Sequence, residues 1–225
     1  VAYGGLVREP LLSAPAHGWI NLHFSLLPRW RGAAPVQRAL IAGDAPLGVS
    51  VFQLVPALDA GDVFAMQTVA VPDHATADDA LETLAVAGAA VTAQVVEDIA
   101  AGTAVAAPQI GEPTTAAKLI LEDGLLRWDA PLAEVYARFR GVTPEPGAHT
   151  SIEGARLKIL EAAPSSHDTP APAPGEIVAI KGALLIGTAT DPLEVRRVQP
   201  AGRAAMNAGD WWRGLRDQHN VRAGS

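Results

Sequence analysis

The apolar pattern of this chain changes near residue 107, and the change predicts two domains of different class. Up to that point, short apolar runs alternate with longer stretches of helical spacing, which is typical of an α/β sheet layer. The longest such stretch begins at Thr76, with Asp79 placed for a capping box, and ends at Gly102. Beyond residue 107, short apolar runs separated by turn residues indicate a small barrel.

We therefore place the first domain at residues 1–107, a Pro-containing linker at 108–117 and the second domain at 118–225. The composition supports two cores, because 49% of the 225 residues are hydrophobic and only 18% are charged. Helices are predicted to begin at Pro35, Thr76 and Leu132. The predicted strands are Val1–Tyr3, Trp19–Phe24, Val49–Leu54, Val63–Val71, Leu157–Leu160, Glu176–Ile180, Ala183–Gly187 and Leu193–Val198.

Several classes of protein are excluded by composition. The chain has no cysteine, so it has no disulfide scaffold, cysteine-liganded zinc, iron–sulfur cluster or cysteine nucleophile. No apolar run reaches the roughly 20 residues of a membrane span, and no secretory signal is visible in the given sequence. We expect a cytoplasmic protein without a membrane partner. The chain starts without an initiator Met, in what resembles the middle of a strand, so we also expect N-terminal residues to be missing.

The densest group of polar residues lies on the predicted strand Trp19–Phe24 and just after it. Because strand side chains alternate between faces, Asn21, His23 and Ser25 project to one side, at the strand end where α/β sheets bind ligands. An amide donor beside an imidazole can stabilise an oxyanion. A carboxylate near that imidazole would favour its protonated form. Asp59, in a Gly-containing turn, is the natural candidate, and Asp62 is the alternative.

Other interpretations of the same residues stay open. His23 taken alone also fits a core histidine that is hydrogen-bonded to backbone. Ser25, His23 and Asp59 are the residue types of a hydrolytic triad, but the G-x-S-x-G elbow is missing and two residues along one strand give a poor geometry. A metal site is disfavoured because the remaining histidines show no paired ligand spacing. These are His17, His74, His149, His167 and His219.

Basic residues are concentrated at the C-terminal end of an acidic chain. The net charge is −7, yet from Arg196 onward six arginines stand against two aspartates. Local basic patches bind polyanions even on acidic proteins. A solubilising surface is the alternative interpretation.

The segment I-N-L-H-F-S-L-L-P-R-W-R-G-A-A-P, followed by the Asp of L-D-A-G-D, resembles the folate-dependent formyltransferases. The continuation R-W-R-G-A-A-P-V-Q-R-A-L resembles the branch that acts on methionyl-tRNA. In the second half, G-V-T-P-E-P-G-A, G-A-R-L-K-I, P-G-E-I-V and V-Q-P-A-G-R-A-A-M are similar to the C-terminal barrel of that branch. The resemblance implies an α/β fold: an incomplete Rossmann-like formyltransferase domain at 1–107, then an OB-like, tRNA-binding β-barrel at 118–225.

The resemblance also implies an activity and its residues. A formyl group would pass from 10-formyltetrahydrofolate to the amine of methionine on initiator methionyl-tRNA, with no metal. Asn21 would donate to the formyl oxygen, protonated His23 would add positive charge, and Asp59 would stabilise the imidazolium. The folate contacts implied are Ser25, Leu26, Leu27, Pro28, Leu6, Val7 and Pro56.

Contacts to tRNA are expected from arginines, because phosphate contacts supply most of such affinity. The candidates are Arg29, Arg31, Arg196, Arg197 and Arg203, with Arg213 and Arg216 as further ones. The complete protein is expected to be a monomer. Two alternatives stay open: a non-catalytic truncated fragment that at most binds RNA, and a formyltransferase or hydrolase with a small-molecule substrate.

Overall fold

The computed structural model describes residues 6–167, 170–216, 218 and 221–225. The chain forms two compact units, one of residues 1–39 and 44–118 and the other of residues 40–43 and 119–225. The strand predicted at Val1–Tyr3 lies outside the described residues.

Up to residue 118 the described chain alternates strands with helices, as predicted. The elements are β1 (Ile20–His23), β2 (Arg31–Gly32), α1 (Pro35–Ile41), β3 (Leu47–Gln53), β4 (Val63–Val69), α2 (Ala77–Ala101) and β5 (Thr115–Ala116). The larger sheet has the order β1-β3-β4, and both pairings are antiparallel, so within the described residues this sheet lacks the parallel pairing of a Rossmann-like layer. A separate two-residue parallel ladder joins β2 to β5.

Helix α2 has the ends that its sequence predicts. Thr76 and Asp79 form a reciprocal capping box, and Gly102 closes the helix in the left-handed region at φ 71°. The helix packs closely on the sheet at Gly88, where an added Cβ would lie 2.7 Å from Leu22 Cδ2. By length and composition alone α2 is also apolar enough to cross a membrane, although the sequence has no uninterrupted apolar run of that length.

Beyond residue 118, six described strands form one antiparallel sheet with the order β6-β7-β10-β9-β8, and β11 pairs with β10. The two ends of this path, β6 and β8, do not pair with each other within the described residues, so the sheet is not a closed barrel there. A 3-10 turn covers Leu121–Gly124. The other elements are α3 (Leu132–Val142), β6 (His149–Ile152), β7 (Ala155–Pro164), β8 (Ile177–Ile180), β9 (Ala183–Ile186), β10 (Leu193–Pro200), β11 (Met206–Asn207) and α4 (Ala208–Arg213).

The core of this second unit lies between the sheet and α3. Val135 and Phe139 of α3 and Trp128 are buried against the inner side chains of the strands. The indole Nε1 of Trp128 donates to Thr150 Oγ1 at 2.9 Å. Sequence analysis missed β6 because His149-Thr150-Ser151 is polar. Pairing with β7 makes it a strand, and the side chains of His149 and Thr150 hydrogen-bond with Gly147 and Trp128.

Candidate active site

Strand β1 places Asn21 and His23 on one face of the sheet and Leu22 on the other, under α2. Pairing with β3 sets Asn21 opposite Phe52 and His23 opposite Ser50. The ring of Phe52 meets the imidazole edge-on, with 6.3 Å between ring centroids. The apolar contact buries His23 to 5% exposure at the last residue of the strand.

The two ring nitrogens of His23 have different partners. Nε2 lies 2.8 Å from the carbonyl oxygen of Trp30, so Nε2 carries a hydrogen and donates it. Nδ1 lies 3.8 Å from Asp59 Oδ2, beyond hydrogen-bond length. Burial lowers the pKa of His23 from 6.5, and the Trp30 carbonyl and the Asp59 charge only partly offset this. Desolvation thus outweighs the carboxylate and favours the neutral ring. The role expected of a protonated His23 stays a prediction.

The carboxylate that the fold brings to His23 is Asp59 and not the alternative, Asp62. Asp59 has a left-handed backbone (φ 46°), and its Oδ2 accepts a hydrogen bond of 2.8 Å from the Gly32 N–H. Asp62 has an exposed side chain, and its backbone oxygen accepts from Gln53 N. The turn between β3 and β4 thus directs one carboxylate inward and the other to solvent.

Ser25 is not arranged as a nucleophile beside His23. Its hydroxyl donates to the Arg29 carbonyl at 2.6 Å, which closes the loop after β1. Ser50 Oγ donates to the Ser25 carbonyl at 2.7 Å and accepts from Leu27 N at 3.2 Å. These bonds make residues 25–29 a structural loop beside the site and give no support to a hydrolytic triad.

Two cavities contain predicted folate residues. A small one of about 50 Å³ is lined by Ser25 and Leu26 together with Arg29, Trp30 and Asp44, among others. A larger open pocket, of about 330 Å³, brings together Leu6, Val7 and Pro56, which are far apart in sequence. Pro56 belongs to the same β3–β4 connection as Asp59. The predicted residues Leu27 and Pro28 are buried in the loop and do not line either cavity.

Sequence analysis missed Gln109, which lies in the segment assigned to a linker. Its amide oxygen accepts from Arg31 Nε at 3.1 Å and from Arg31 Nη2 at 2.6 Å. Its amide nitrogen donates to the backbone oxygens of Asp59 at 2.8 Å and Gly61 at 2.9 Å. No motif or spacing marks this glutamine, because all its partners are distant in sequence.

The predicted tRNA-contacting arginines fall into two groups. In the first, the Arg29 side chain is 54% exposed and pairs with Asp44 at 2.5 Å, whereas Arg31 is half-buried against Gln109. In the second, a bulge in the β10–β7 ladder lets consecutive Arg196 and Arg197 both face solvent.

These exposed arginines of the second group have acidic neighbours of their own. Arg196 pairs with the buried Glu194 at 2.7 Å, and Arg197 pairs with Glu161 at 3.4 Å. Arg203 is exposed in the turn after β10, and within the described residues its guanidinium has no hydrogen bond or ion pair. Of the two further candidates, Arg213 pairs with Asp210.

Within the described residues no group of three or more His, Asp or Glu side chains could hold a metal ion.

Known protein families match residues in both units of the chain. The family described as "Formyl transferase" matches residues 1–96, and "Formyl transferase, C-terminal domain" matches residues 118–216. A protein of Clavibacter sepedonicus named methionyl-tRNA formyltransferase is 58% identical over 215 residues, which are 96% of this chain and 70% of that protein.

Solved structures are similar in fold. HypX from Aquifex aeolicus in complex with tetrahydrofolic acid matches with a TM-score of 0.68 at 20% identity, over 87% of this chain and 36% of that chain. WlaRD, a sugar 3N-formyl transferase, matches with a TM-score of 0.66 at 14% identity, over 82% of this chain and 66% of that chain.

Proposed function

We infer the activity from the family, because this chain belongs to the methionyl-tRNA formyltransferases. It transfers a formyl group from 10-formyltetrahydrofolate to the amine of methionine on initiator methionyl-tRNA. The reaction is a one-carbon transfer that prepares this tRNA for translation initiation, and we assign the protein to the cytoplasm with that machinery.

The observation that carries the proposal is the placement of His23 between the Trp30 carbonyl and Asp59, on the same face as Asn21. Attack of the amine on the formyl carbon forms a carbon–nitrogen bond and moves an electron pair onto the formyl oxygen. The Asn21 amide donates a hydrogen bond to that developing oxyanion. The attacking nitrogen must then lose a proton while the departing folate nitrogen gains one.

Neutral His23 suits the proton transfer better than an imidazolium does. Its Nε2–H is already donated to Trp30, so Nδ1 holds the free electron pair and is the atom that accepts the proton. The imidazolium so formed lies between a carbonyl oxygen and the Asp59 carboxylate, and both stabilise it. The Gly32 N–H holds that carboxylate in place.

We assign the folate to the pocket of Leu6, Val7 and Pro56. Apolar side chains there suit the faces of a pterin ring, and the pocket adjoins the connection that carries Asp59. The predicted contacts Ser25, Leu26, Leu27 and Pro28 form a loop next to His23, and the polar groups of this loop are used internally.

For tRNA we propose the exposed arginines of the second unit as phosphate contacts, on a sheet that we interpret as OB-like. Arg196 and Arg197 stand side by side at the β10 bulge, and Arg203 follows in the next turn. Salt-dependent phosphate contacts of this kind supply affinity without base recognition. A small-molecule acceptor is less well supported, because the 58% identical relative carries a tRNA enzyme's name and the sugar enzyme shares only 14% identity.

The deciding experiment is formyl transfer by the full-length gene product to three acceptors: methionyl initiator tRNA, methionyl elongator tRNA and a UDP-amino-sugar. Asn21→Ala, His23→Ala and Asp59→Asn should each lower kcat by roughly 10²–10⁴-fold. Asp62→Asn is the matched control, since this neighbouring carboxylate faces solvent, and it should stay close to wild type. Circular dichroism separates lost chemistry from lost folding. Transfer only to the sugar nucleotide, or folate hydrolysis without any acceptor, would refute the proposal.

A further inference from the structure

The amide of Gln109 has every hydrogen-bonding position occupied by two other segments of its unit. Its oxygen accepts twice from Arg31, and its two N–H groups go to the backbone oxygens of Asp59 and Gly61. A half-buried side chain with such partners is geometrically fixed, and it fixes its partners in turn.

The turn that Gln109 holds needs external support. Asp59 has a positive φ of 46°, a conformation that is unfavourable for a non-glycine residue and persists only where the surroundings impose it. Two groups impose it here: the Gly32 N–H on the carboxylate, and the Gln109 amide on the carbonyls of Asp59 and Gly61.

The segment around Gln109 is itself fastened on both sides of the site. Ala107 exchanges two backbone hydrogen bonds with Val63, directly after the Asp59 turn, at 2.8 and 3.0 Å. Thr114 accepts from Trp30 N through its hydroxyl at 2.8 Å and from Arg31 N through its carbonyl at 2.8 Å. Trp30 is the residue whose carbonyl accepts from His23. Residues 107–116 therefore brace the positions of both members of the His23–Asp59 pair.

We propose that Gln109 is a positioning residue for formyl transfer: it sets the Asp59 turn and links that setting to Arg31. The inference rests on the proposed function, in which Asp59 stabilises the His23 imidazolium. Arg31 is a predicted tRNA-binding residue. Through the Gln109 side chain, a change in the position of Arg31 on tRNA binding would also change the position of Asp59. Gln109 acts through Asp59 and does not itself touch the reacting atoms.

Two substitutions separate the role of the amide oxygen, which binds Arg31, from the role of the amide nitrogen, which binds the Asp59 turn. Gln109→Ala removes all of its bonds. Gln109→Glu keeps an oxygen for Arg31 but loses both N–H groups and sets a carboxylate oxygen against the carbonyls of Asp59 and Gly61. Gln67→Ala is the matched control, because Gln67 is an exposed glutamine of β4 in the same unit. Steady-state kinetics of the full-length gene product give kcat and the KM for each substrate.

Both Gln109 variants should lower kcat about 10–100-fold, the range expected when a reacting group is displaced by about an ångström. The KM for folate should change less than about twofold, and Gln67→Ala should match wild type. A folded Gln109→Ala enzyme with wild-type kcat would overturn the inference. The inference would also be overturned if Gln109→Ala raised only the KM for tRNA and Gln109→Glu did not. Gln109 would then support Arg31 alone and not the Asp59 turn.

A second measurement needs no activity and separates failure of this inference from failure of the proposed function. NMR titration of the His23 ring should show its pKa lower still in Gln109→Ala, because the Asp59 charge that raises this pKa moves away. An unchanged pKa in that variant would refute the positioning role even if the acceptor were wrongly assigned. Absence of transfer to methionyl initiator tRNA by the wild type would instead refute the proposed function.

Discussion

Gly61→Ala should lower kcat although it changes none of the polar residues of the candidate active site. An added Cβ at Gly61 would lie 1.8 Å from the carbonyl oxygen of Gln53, and ordinary contact begins at 3.4 Å. Since the opposing atom is backbone at the end of β3, the turn must move by about 1.6 Å. Asp59 lies two residues away in the same turn, so its carboxylate moves away from Nδ1 of His23.

The expected loss of kcat is on the order of 10²-fold, because displacements of about an ångström at reacting groups cost that much. Overpacking should also lower the free energy of unfolding by roughly 1–3 kcal/mol. The assay is formyl transfer to methionyl initiator tRNA under saturating folate, with a urea unfolding curve of the same preparation.

Gly102→Ala supplies the matched control. No atom lies within 4 Å of an added Cβ there, but the residue caps α2 at φ 71°, so alanine should cost roughly 1 kcal/mol of stability without changing kcat. A Gly61→Ala enzyme that loses stability but keeps wild-type kcat would show that the chemistry does not depend on where this turn lies.

Three further predictions follow from other parts of the molecule. Burial lowers the pKa of His23 from 6.5 in the folded protein, so the unfolded chain binds more protons than the folded one as the pH falls below 6.5. The stability that neutral His23 contributes should therefore be lost as the pH falls from above 6.5 through the lowered pKa. In His23→Asn the urea midpoint should depend less on pH. Thr76→Ala removes the reciprocal cap of α2 and should lower the free energy of unfolding by about 1 kcal/mol, measured by urea unfolding, with kcat unchanged. Arg203→Ala should weaken initiator tRNA binding and reduce its log–log salt slope by about one, measured by filter binding, whereas exposed Arg127→Ala should not.

Local chemistry in the sequence determined where elements begin and which side chains share a face. The two-residue period of a strand was enough to predict that Asn21 and His23 project together, and the structure places both on one face of β1. The limits of α2 were predictable from Thr76, Asp79 and Gly102, since caps use partners only a few residues away. The family resemblance added what such a face is used for, and the comparisons confirm the family.

Contacts between distant segments decided the rest. Whether Asp59 or Asp62 faces His23 depends on a Gly32 N–H and a turn braced by Gln109, and neither is encoded by spacing. The pKa of His23 depends on burial as well as on the nearby carboxylate, and the sequence displays only the carboxylate. In the structure desolvation is the larger effect and lowers this pKa. The antiparallel order of the first sheet and the role of residues 107–116 likewise arise from pairings across the fold. Short-range periodicity fixes faces and ends, whereas the protonation state and precise placement of a reacting group are set by what tertiary packing brings against it.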